Sequence, residues 1–357
     1  MNGTLVYEDY LSLYNNNKIK SLYFKKSQIQ PSSIDLSLSE ECYEIKTSFL
    51  SPDNKVRDKL KKIYSKKISL KTPKIFKKNK TYIIRLNETL NLSNSIAGHC
   101  NPKSSTGRLN IFCRTILDYC DEYEKIPKNY NGEMFLEITT RSFDIKISKE
   151  DKLNQMRLRK KSNNYLNDED LKKINKRTKL IFTNKKNIIE NGLRVSVDLS
   201  NDNKICAYVA KKTSLNINFS KINFYEIKKF WKPLKPNNNS LIIEKNKFYI
   251  LKSREKIRIP SNLAGEMIPY DTGIGDFRAH YAGFFDPGFG LEELGAKPTR
   301  AVLEVRSHDV PFLVEENQTV CRLVYEKMYS EPSKLYGING VISHYQSQGL
   351  QLAKHFY

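Results

Sequence analysis

The chain has 357 residues, of which 39% are hydrophobic and 28% charged, a composition typical of a folded protein with two domains or one large one. It contains no uninterrupted apolar stretch near the ~20 residues of a membrane-spanning helix, and its start lacks the basic and apolar segments of a signal peptide. The six cysteines include no CxxC pair. We therefore expect a cytoplasmic protein whose cysteines are reduced, most of them in the core.

The formal net charge of +22 raises the question of nucleic-acid binding. Lysine is enriched together with asparagine and isoleucine, as in residues 77–80 and 237–239, which is typical of an AT-rich coding bias. The basic residues follow no single helix and no aromatic-interleaved stripe. The pattern therefore argues against nucleic acid as a partner, although the same positive field would attract a small polyanionic substrate.

Helical patterns are confined to residues 7–23 and 55–64, and the other patterned segments are short runs rich in Ile, Val, Tyr and Phe. These runs partly alternate with polar residues and are separated by Gly, Pro, Asn or Ser, which predicts strands. The predicted strands are residues 82–86, 109–117, 133–139, 194–199, 246–251, 256–259, 300–305 and 319–326. Many short strands favour a mostly β fold, a barrel or jelly roll, over a βαβ sheet. The Lys- and Asn-rich stretch 160–191 is the predicted linker.

The second half of the sequence repeats the first. Residues 80–85 match 247–252, 95–98 match 262–265, Pro102 matches Pro269, and 136–138 match 303–305, always 167 positions apart. Outside this block, residues 33–36 match 196–199 at an offset of 163, and residues 157–158 match 322–323 at 165. Because the offset is constant from residue 80 to residue 138, we infer a duplicated domain. The predicted boundaries are 1–170 and 171–332 for the two copies and 333–357 for a C-terminal tail.

Four motifs follow one another along this repeat. Residues 30–36 read Gln-Pro-Ser-Ser-Ile-Asp-Leu, and residues 102–109 contain Ser-Ser-x-x-Arg. Residues 282–289 contain Asp-Pro-Gly and precede the strand 301–304, Ala-Val-Leu-Glu, while residues 343–349 read Ser-His-Tyr-Gln-Ser-Gln-Gly. Together the motifs resemble those of the dUTPase and dCTP deaminase superfamily. The tandem form resembles its double-domain 2′-deoxycytidine 5′-triphosphate deaminases.

The resemblance implies that each copy is a dUTPase-like distorted jelly roll or β-barrel, with a short helix at the start of the chain. It also implies a homo-oligomer and a tail that folds over bound nucleotide. It makes Glu304, Arg108 and Ser104 catalytic. The positions that match substrate-binding residues are Ser105, Gly107, Ala282, Asp286, Gly288, Tyr345, Gln346 and Gln348.

Glu304 can also be argued from the chemistry of deamination. The reaction needs an activated water and a proton for the leaving amine. Zinc deaminases hold their metal with a C-x-x-C signature, which this sequence lacks, so a carboxylate has to move the proton. A partly desolvated carboxylate does this best, and Glu304 lies within an apolar run. The alternative is an acid that pairs with Arg306 on an exposed face.

The other motifs each have an ordinary alternative. Small hydroxyl residues let the backbone approach a phosphate and Arg108 offers it forked donors, but a serine-rich turn before a surface arginine is common. The Asp-Pro-Gly sequence at 286–288 places an acid near the sugar, or is simply a turn. Phe285 and Phe289 are more typical of a core than of a platform for the base.

The two copies do not carry the same motifs. At 167 positions after Arg108 stands Gly275, and Asp271-Thr272 stand opposite the serine pair. Opposite Asp-Pro-Gly the first copy has Tyr-Cys-Asp at 119–121, whereas the glutamate is present in both copies, as Glu137 and Glu304. We therefore predict a site shared between unlike copies, in which Glu137 has a structural role.

The predicted reaction converts dCTP and water into dUTP and ammonia without zinc. Magnesium is expected only as the counterion of the triphosphate. A dUTP diphosphatase or a bifunctional enzyme is the nearest alternative because the fold is shared. A non-catalytic nucleotide-binding regulator is the alternative from another class, because the motif set of each copy is incomplete.

Overall fold

The structure is a computed structural model that describes residues 2–160, 165–185, 188–200, 204–269, 277–279, 283–307, 310–338, 341 and 344–357. The predicted mostly β fold is confirmed, since 44% of the chain is strand and 13% helix. The chain forms two compact units. The first contains residues 1–163, 213–224 and 328–333, and the second contains residues 164–212, 225–327 and 334–357.

The strands described in the first half of the sequence are β1 (Gly3–Thr4), β2 (Ile19–Lys20), β3 (Ile34–Leu36), β4 (Leu38–Ile45), β5 (Tyr64–Ser69), β6 (Lys74–Phe76), β7 (Thr81–Asn91), β8 (Ile96–Pro102), β9 (Ile111–Leu117), β10 (Lys125–Ile126), β11 (Asn131–Thr140), β12 (Asp144–Ile147) and β13 (Asn154–Lys160). One sheet has the order β1-β13-β8-β10, with β3 also on β13. The other has the order β5-β4-β7-β11-β9, with β2 also on β7.

The strands described in the second half are β14 (Ile181–Phe182), β15 (Leu193–Ser196), β16 (Ala207–Ala210), β17 (Asn216–Asn218), β18 (Trp231–Leu234), β19 (Ser240–Ile243), β20 (Phe248–Ile257), β21 (Leu263–Pro269), β22 (Phe277–Ala279), β23 (Phe284–Phe285), β24 (Thr299–Ser307), β25 (Phe312–Glu315) and β26 (Thr319–Lys327). They repeat the two-sheet plan, with orders β18-β16-β20-β24-β22 and β15-β26-β21-β23. A ribbon of β19 and β25 is separate.

Where a strand buries only one face, its residues alternate between apolar and polar. In β12, Ile145 and Ile147 are buried whereas Asp144 and Lys146 are partly exposed, as a period of two requires. The predicted strands 246–251 and 256–259 are one strand, β20, which is interrupted only by a register irregularity between Lys252 and Lys256.

The helices are α1 (Tyr7–Asn15), α2 (Val56–Ile63), α3 (Ser104–Arg108), α4 (Asp168–Arg177) and α5 (Ile227–Phe230), with 3₁₀ turns at Lys26–Gln28 and Glu292–Leu294. The helix predicted over 7–23 ends at Asn15, and α2 falls within the predicted 55–64. The predicted linker 160–191 is wrong in part because it contains α4. The side chain of Asn167 caps this helix by accepting a hydrogen bond from the backbone N–H of Asp170 at 2.9 Å.

The strand registers confirm the offset of 167 and extend it. Glu137 lies opposite Ile83, and Glu304 opposite Ile250. In the other sheet, Gly98 lies opposite Leu158, and its counterpart Gly265 lies opposite Tyr325. The last strand therefore keeps the same offset, and the match of 157–158 with 322–323 at 165 is wrong.

The match of residues 33–36 with 196–199 at 163 is also wrong. The backbone N–H and Oγ of Ser37 donate to the Glu88 carboxylate at 2.9 and 2.8 Å. The same groups of Ser196 donate to Glu255 at 2.7 and 2.6 Å. These buried contacts make Ser37 the counterpart of Ser196, at an offset of 159. The short Ser-x-Asp sequence similarity therefore aligned residues that are not structurally equivalent.

The first copy also has a different counterpart of Asp-Pro-Gly from the predicted 119–121. Ile126 in β10 pairs with Gly98, as Phe285 in β23 pairs with Gly265, so the turn equivalent to 286–288 is Pro-Lys-Asn at 127–129. Asn129 has a φ of 60° where Gly288 has 95°, so both copies use a left-handed residue at this point. The first copy still has no aspartate there.

All six cysteines are buried thiols, which confirms the prediction that most of them lie in the core. None of the helices in the described part of the chain is long and apolar enough to cross a membrane.

Candidate active site

The Ser-Ser-x-x-Arg motif forms the short helix α3 between β8 and β9. It is held by Leu153, whose carbonyl oxygen accepts hydrogen bonds from the Lys103 N–H at 2.9 Å and from Thr106 Oγ1 at 2.8 Å. Ser105 and Gly107 are buried and Ser104 is partly exposed. Arg108 is only 3% exposed, so the alternative of a surface arginine is wrong.

The first two motifs meet in the first unit. The Lys103 ammonium forms an ion pair with Asp35, which lies in β3 and is 4% exposed. Sequence reasoning missed Lys103, although its position directly before the serine pair was a signal for a basic residue near an anion site. The ion pair, buried on the aspartate side and partly exposed on the lysine side, connects the 30–36 segment to the beginning of α3.

The Asp-Pro-Gly turn of the second unit is held by backbone contacts. The Gly288 N–H donates to the Ile259 carbonyl at 3.0 Å, and the Pro287 carbonyl accepts from the Tyr336 N–H at 2.8 Å. A Cβ at Gly288 would lie 2.9 Å from the Tyr336 nitrogen, and the φ of 95° is itself unfavourable for other residues. Glycine is therefore required here, and Asp286 beside it is 8% exposed.

Two predicted tail residues, Gln346 and Gln348, form hydrogen bonds with parts of the second unit outside the tail. Gln346 exchanges hydrogen bonds with the backbone of Gly288 and Gly290, and Gln348 Nε2 donates to the Arg300 carbonyl at 3.1 Å. Tyr345 is buried, and its hydroxyl accepts from the Lys354 N–H at 3.2 Å. The structure therefore brings Gln346 to the Asp-Pro-Gly turn. Ala282 and positions 271, 272 and 275 lie outside the described residues.

Glu304 is 6% exposed in β24, so the alternative of an acid on an exposed face is wrong. Arg306 in the same strand is 8% exposed. Phe289 belongs to the core cluster of the second unit and Phe285 packs against that cluster, which confirms their predicted core role. Glu304 is thus a nearly buried carboxylate of the second unit.

Glu137, the counterpart of Glu304, has a defined partner in the first unit. Arg114 lies opposite it in β9 and donates to Glu137 Oε1 from Nε and Nη2, at 3.1 and 2.6 Å. The Arg114 guanidinium in turn lies 3.7 Å from the ring centroid of Tyr123. This group was not predicted, because only the register of β9 and β11 places the two charges together.

Glu124 is a second buried acid near this group. The residue is partly exposed, but its Oε1 is buried, and its Oε2 accepts a hydrogen bond from Asn154 Nδ2 at 3.2 Å. Burial raises the pKa of Glu124 to about 7. The first unit therefore contains a carboxyl group that titrates near neutral pH.

Comparison with known proteins gives two family matches that together span nearly all of the chain. Residues 1–162 match the 2′-deoxycytidine 5′-triphosphate deaminase (DCD) N-terminal domain, and residues 167–356 match the C-terminal domain. The crystal structure of 2′-deoxycytidine 5′-triphosphate deaminase from Agrobacterium tumefaciens is 38% identical, with a TM-score of 0.87. The match covers 92% of this chain and 99% of that one. A search of curated proteins finds no match.

The duplicated β fold, with the Ser-Ser-x-x-Arg helix in one copy and a buried glutamate and an Asp-Pro-Gly turn in the other, is that of a double-domain nucleotide deaminase. More particularly, the chain belongs to the 2′-deoxycytidine 5′-triphosphate deaminase family and is an enzyme of that family.

Proposed function

We propose that the chain catalyses the hydrolytic deamination of dCTP to dUTP and ammonia. The main support is that Glu304, the position that resembles the catalytic glutamate of the family, is nearly buried in β24 of the second unit. Water adds to C4 of the cytosine ring, and the bond from C4 to the exocyclic nitrogen then breaks to release ammonia. Glu304 takes one proton from the water and delivers it to N3 of the ring, and it then takes the proton of the new C4 hydroxyl and delivers it to the leaving amine.

The other predicted residues bind the nucleotide or stabilise charge on it. Arg108 and Ser104 stabilise the negative charge of the phosphates and of the reacting centre, because a guanidinium and a hydroxyl both donate hydrogen bonds. Asp286 orients the sugar, and Ser105, Gly107 and Gly288 let the backbone approach the nucleotide. The reaction thus requires side chains from both halves of the sequence.

Magnesium accompanies the triphosphate, and zinc has no part in the reaction. The working enzyme is a homo-oligomer.

The test is to incubate the protein with dCTP and magnesium and to separate dUTP, dUMP and pyrophosphate. We expect dUTP and ammonia in equal amounts, unchanged by a zinc-selective chelator in excess magnesium. Pyrophosphate with dUMP would instead identify a bifunctional enzyme, and activity lost together with stoichiometric zinc would contradict zinc independence.

Arg108→Ala tests whether the first copy takes part in the reaction. We expect kcat/KM to fall by at least about a hundredfold, since charge-stabilising donors contribute about 10²–10³ in rate. Lys128→Ala, at an exposed position, is the control that removes a positive charge elsewhere in the first copy. If Arg108→Ala keeps the kinetics of the wild type, all the chemistry belongs to the second copy.

A further inference from the structure

The side-chain amide of Gln346 bridges two backbone groups of the turn that begins at Asp286. Its Nε2 donates to the Gly288 carbonyl at 3.2 Å, and the Gly290 N–H donates to its Oε1 at 3.1 Å. These two groups flank Phe289. One planar amide therefore holds the backbone at two neighbouring points, through an N–H of its Nε2 and through its Oε1.

The two residues that follow Gln346 attach the same piece of tail to the beginning of β24. The Ser347 N–H donates to Thr299 Oγ1 at 3.1 Å, and Gln348 Nε2 donates to the Arg300 carbonyl at 3.1 Å. Residues 346–348 therefore connect the turn that carries Asp286 with the strand that carries Glu304. Both attachments lie within the second unit.

We propose that Gln346 is a positioning residue that sets the geometry of the Asp286 turn, and that it acts through this turn and not by contact with the nucleotide. The inference rests on the proposed function, because Asp286 is the sugar-orienting group there. The turn itself forms without Gln346, since the Phe289 N–H donates to the Asp286 carbonyl at 3.2 Å and the Gly288 N–H donates to Ile259. Loss of the amide therefore displaces the turn but does not unfold it.

A double-mutant cycle with Gln346→Met and Asp286→Asn tests this coupling. Methionine keeps the length of the side chain and removes both hydrogen bonds. We expect kcat/KM for dCTP to fall about tenfold in Gln346→Met, the loss expected for two neutral hydrogen bonds. In the Asp286→Asn background the same substitution should have almost no further effect, because residues that act through each other are not additive. A full, multiplicative loss in the double variant would overturn the proposal in favour of direct contact with the nucleotide.

The control is Gln351→Met, in the same tail. Gln351 Nε2 donates to the His344 carbonyl at 3.3 Å, within the tail. We expect its kcat/KM and melting temperature to stay near those of the wild type. A loss in Gln351→Met equal to that in Gln346→Met would show that any disturbance of the tail suffices and would overturn the assignment.

Hydrogen exchange of the Gly290 amide gives a readout that does not depend on activity. This N–H donates to Gln346, so it should exchange faster in Gln346→Met and at the wild-type rate in Gln351→Met. An unchanged rate in Gln346→Met would refute the bridge. If the wild-type enzyme does not deaminate dCTP, the proposed function fails, and the exchange rate alone decides on the bridge.

Discussion

Two glutamates 167 positions apart occupy equivalent places in their sheets but have different surroundings. Glu137 accepts two hydrogen bonds from Arg114, whereas Glu304 is the buried acid of the copy that carries Asp-Pro-Gly. We therefore keep the prediction that Glu137 has a structural role and that Glu304, in the copy with Asp-Pro-Gly, carries the chemistry.

We predict that Glu304→Gln lowers kcat for dCTP by about 10²–10⁴, because an amide cannot exchange the proton. Binding of dCTP, measured by calorimetry, should change little. Glu137→Gln is the matched control, since glutamine still accepts a hydrogen bond from Arg114, and most of the activity should remain. An inactive Glu137→Gln together with an active Glu304→Gln would reverse the assignment.

Glu124 makes the stability of the protein depend on pH. Burial raises the pKa of Glu124 to about 7 from an ordinary value of 4.5. Between pH 4.5 and pH 7, the folded state therefore keeps a proton on Glu124 that the unfolded state has released. The contribution of Glu124 to the free energy of unfolding therefore falls as pH rises from 4.5 to 7. Glu124→Gln should remove this slope, so that the variant melts higher than the wild type at pH 8. Thermal melts from pH 5 to pH 8 measure it, and parallel curves would contradict it.

At the scale of single elements, a helix lies where the sequence pattern indicated a linker. The stretch 160–191 reads as Lys- and Asn-rich, yet α4 begins with the Asn167 cap, continues with three acidic residues and ends with Lys176 and Arg177. Acidic residues at the first turn and basic ones at the last suit the helix dipole. Leu171 is buried, so this helix is also attached to the core of the second unit.

We predict that Asn167→Ala destabilises the protein by about 1 kcal/mol, the usual cost of losing an N-cap. The melting temperature should fall by about 2–4 °C if the second unit unfolds as one transition. Asn167→Asp, which can still accept the hydrogen bond from Asp170, should melt like the wild type. Equal melting temperatures for all three proteins would show that the cap does not stabilise this helix.

At the scale of the whole molecule, the first unit is not made from the first half of the sequence alone. Residues 213–224 and 328–333 belong to it, and β17 pairs in parallel with β12. Ile217 and Phe219 are buried in this segment. A fragment that ends at residue 163 would therefore expose apolar surface and an unpaired strand edge.

We predict that the fragment 1–163 lacks a cooperative thermal transition, measured by circular dichroism. Adding the peptide 213–224 through a flexible linker should restore at least part of the transition, because it returns both the strand and its apolar residues. A fragment 1–163 that melts cooperatively at the temperature of the full chain would show that the segment does not stabilise the unit.

The sequence by itself determined the β class, the duplication and the positions of the motifs. Alternation of apolar and polar residues, turn residues and a constant offset of 167 can all be recognised in the order of the residues, without knowledge of their contacts. Tertiary structure decided which residues are counterparts where loops differ in length. Ser37 corresponds to Ser196, and the turn at 127–129 corresponds to the turn at 286–288. Hydrogen bonds and strand register define these equivalences, whereas local sequence similarity pointed to other residues. It also decided the pairing of Arg114 with Glu137 and the bridge of Gln346 to Gly288, since both join segments whose distance along the chain carries no signal.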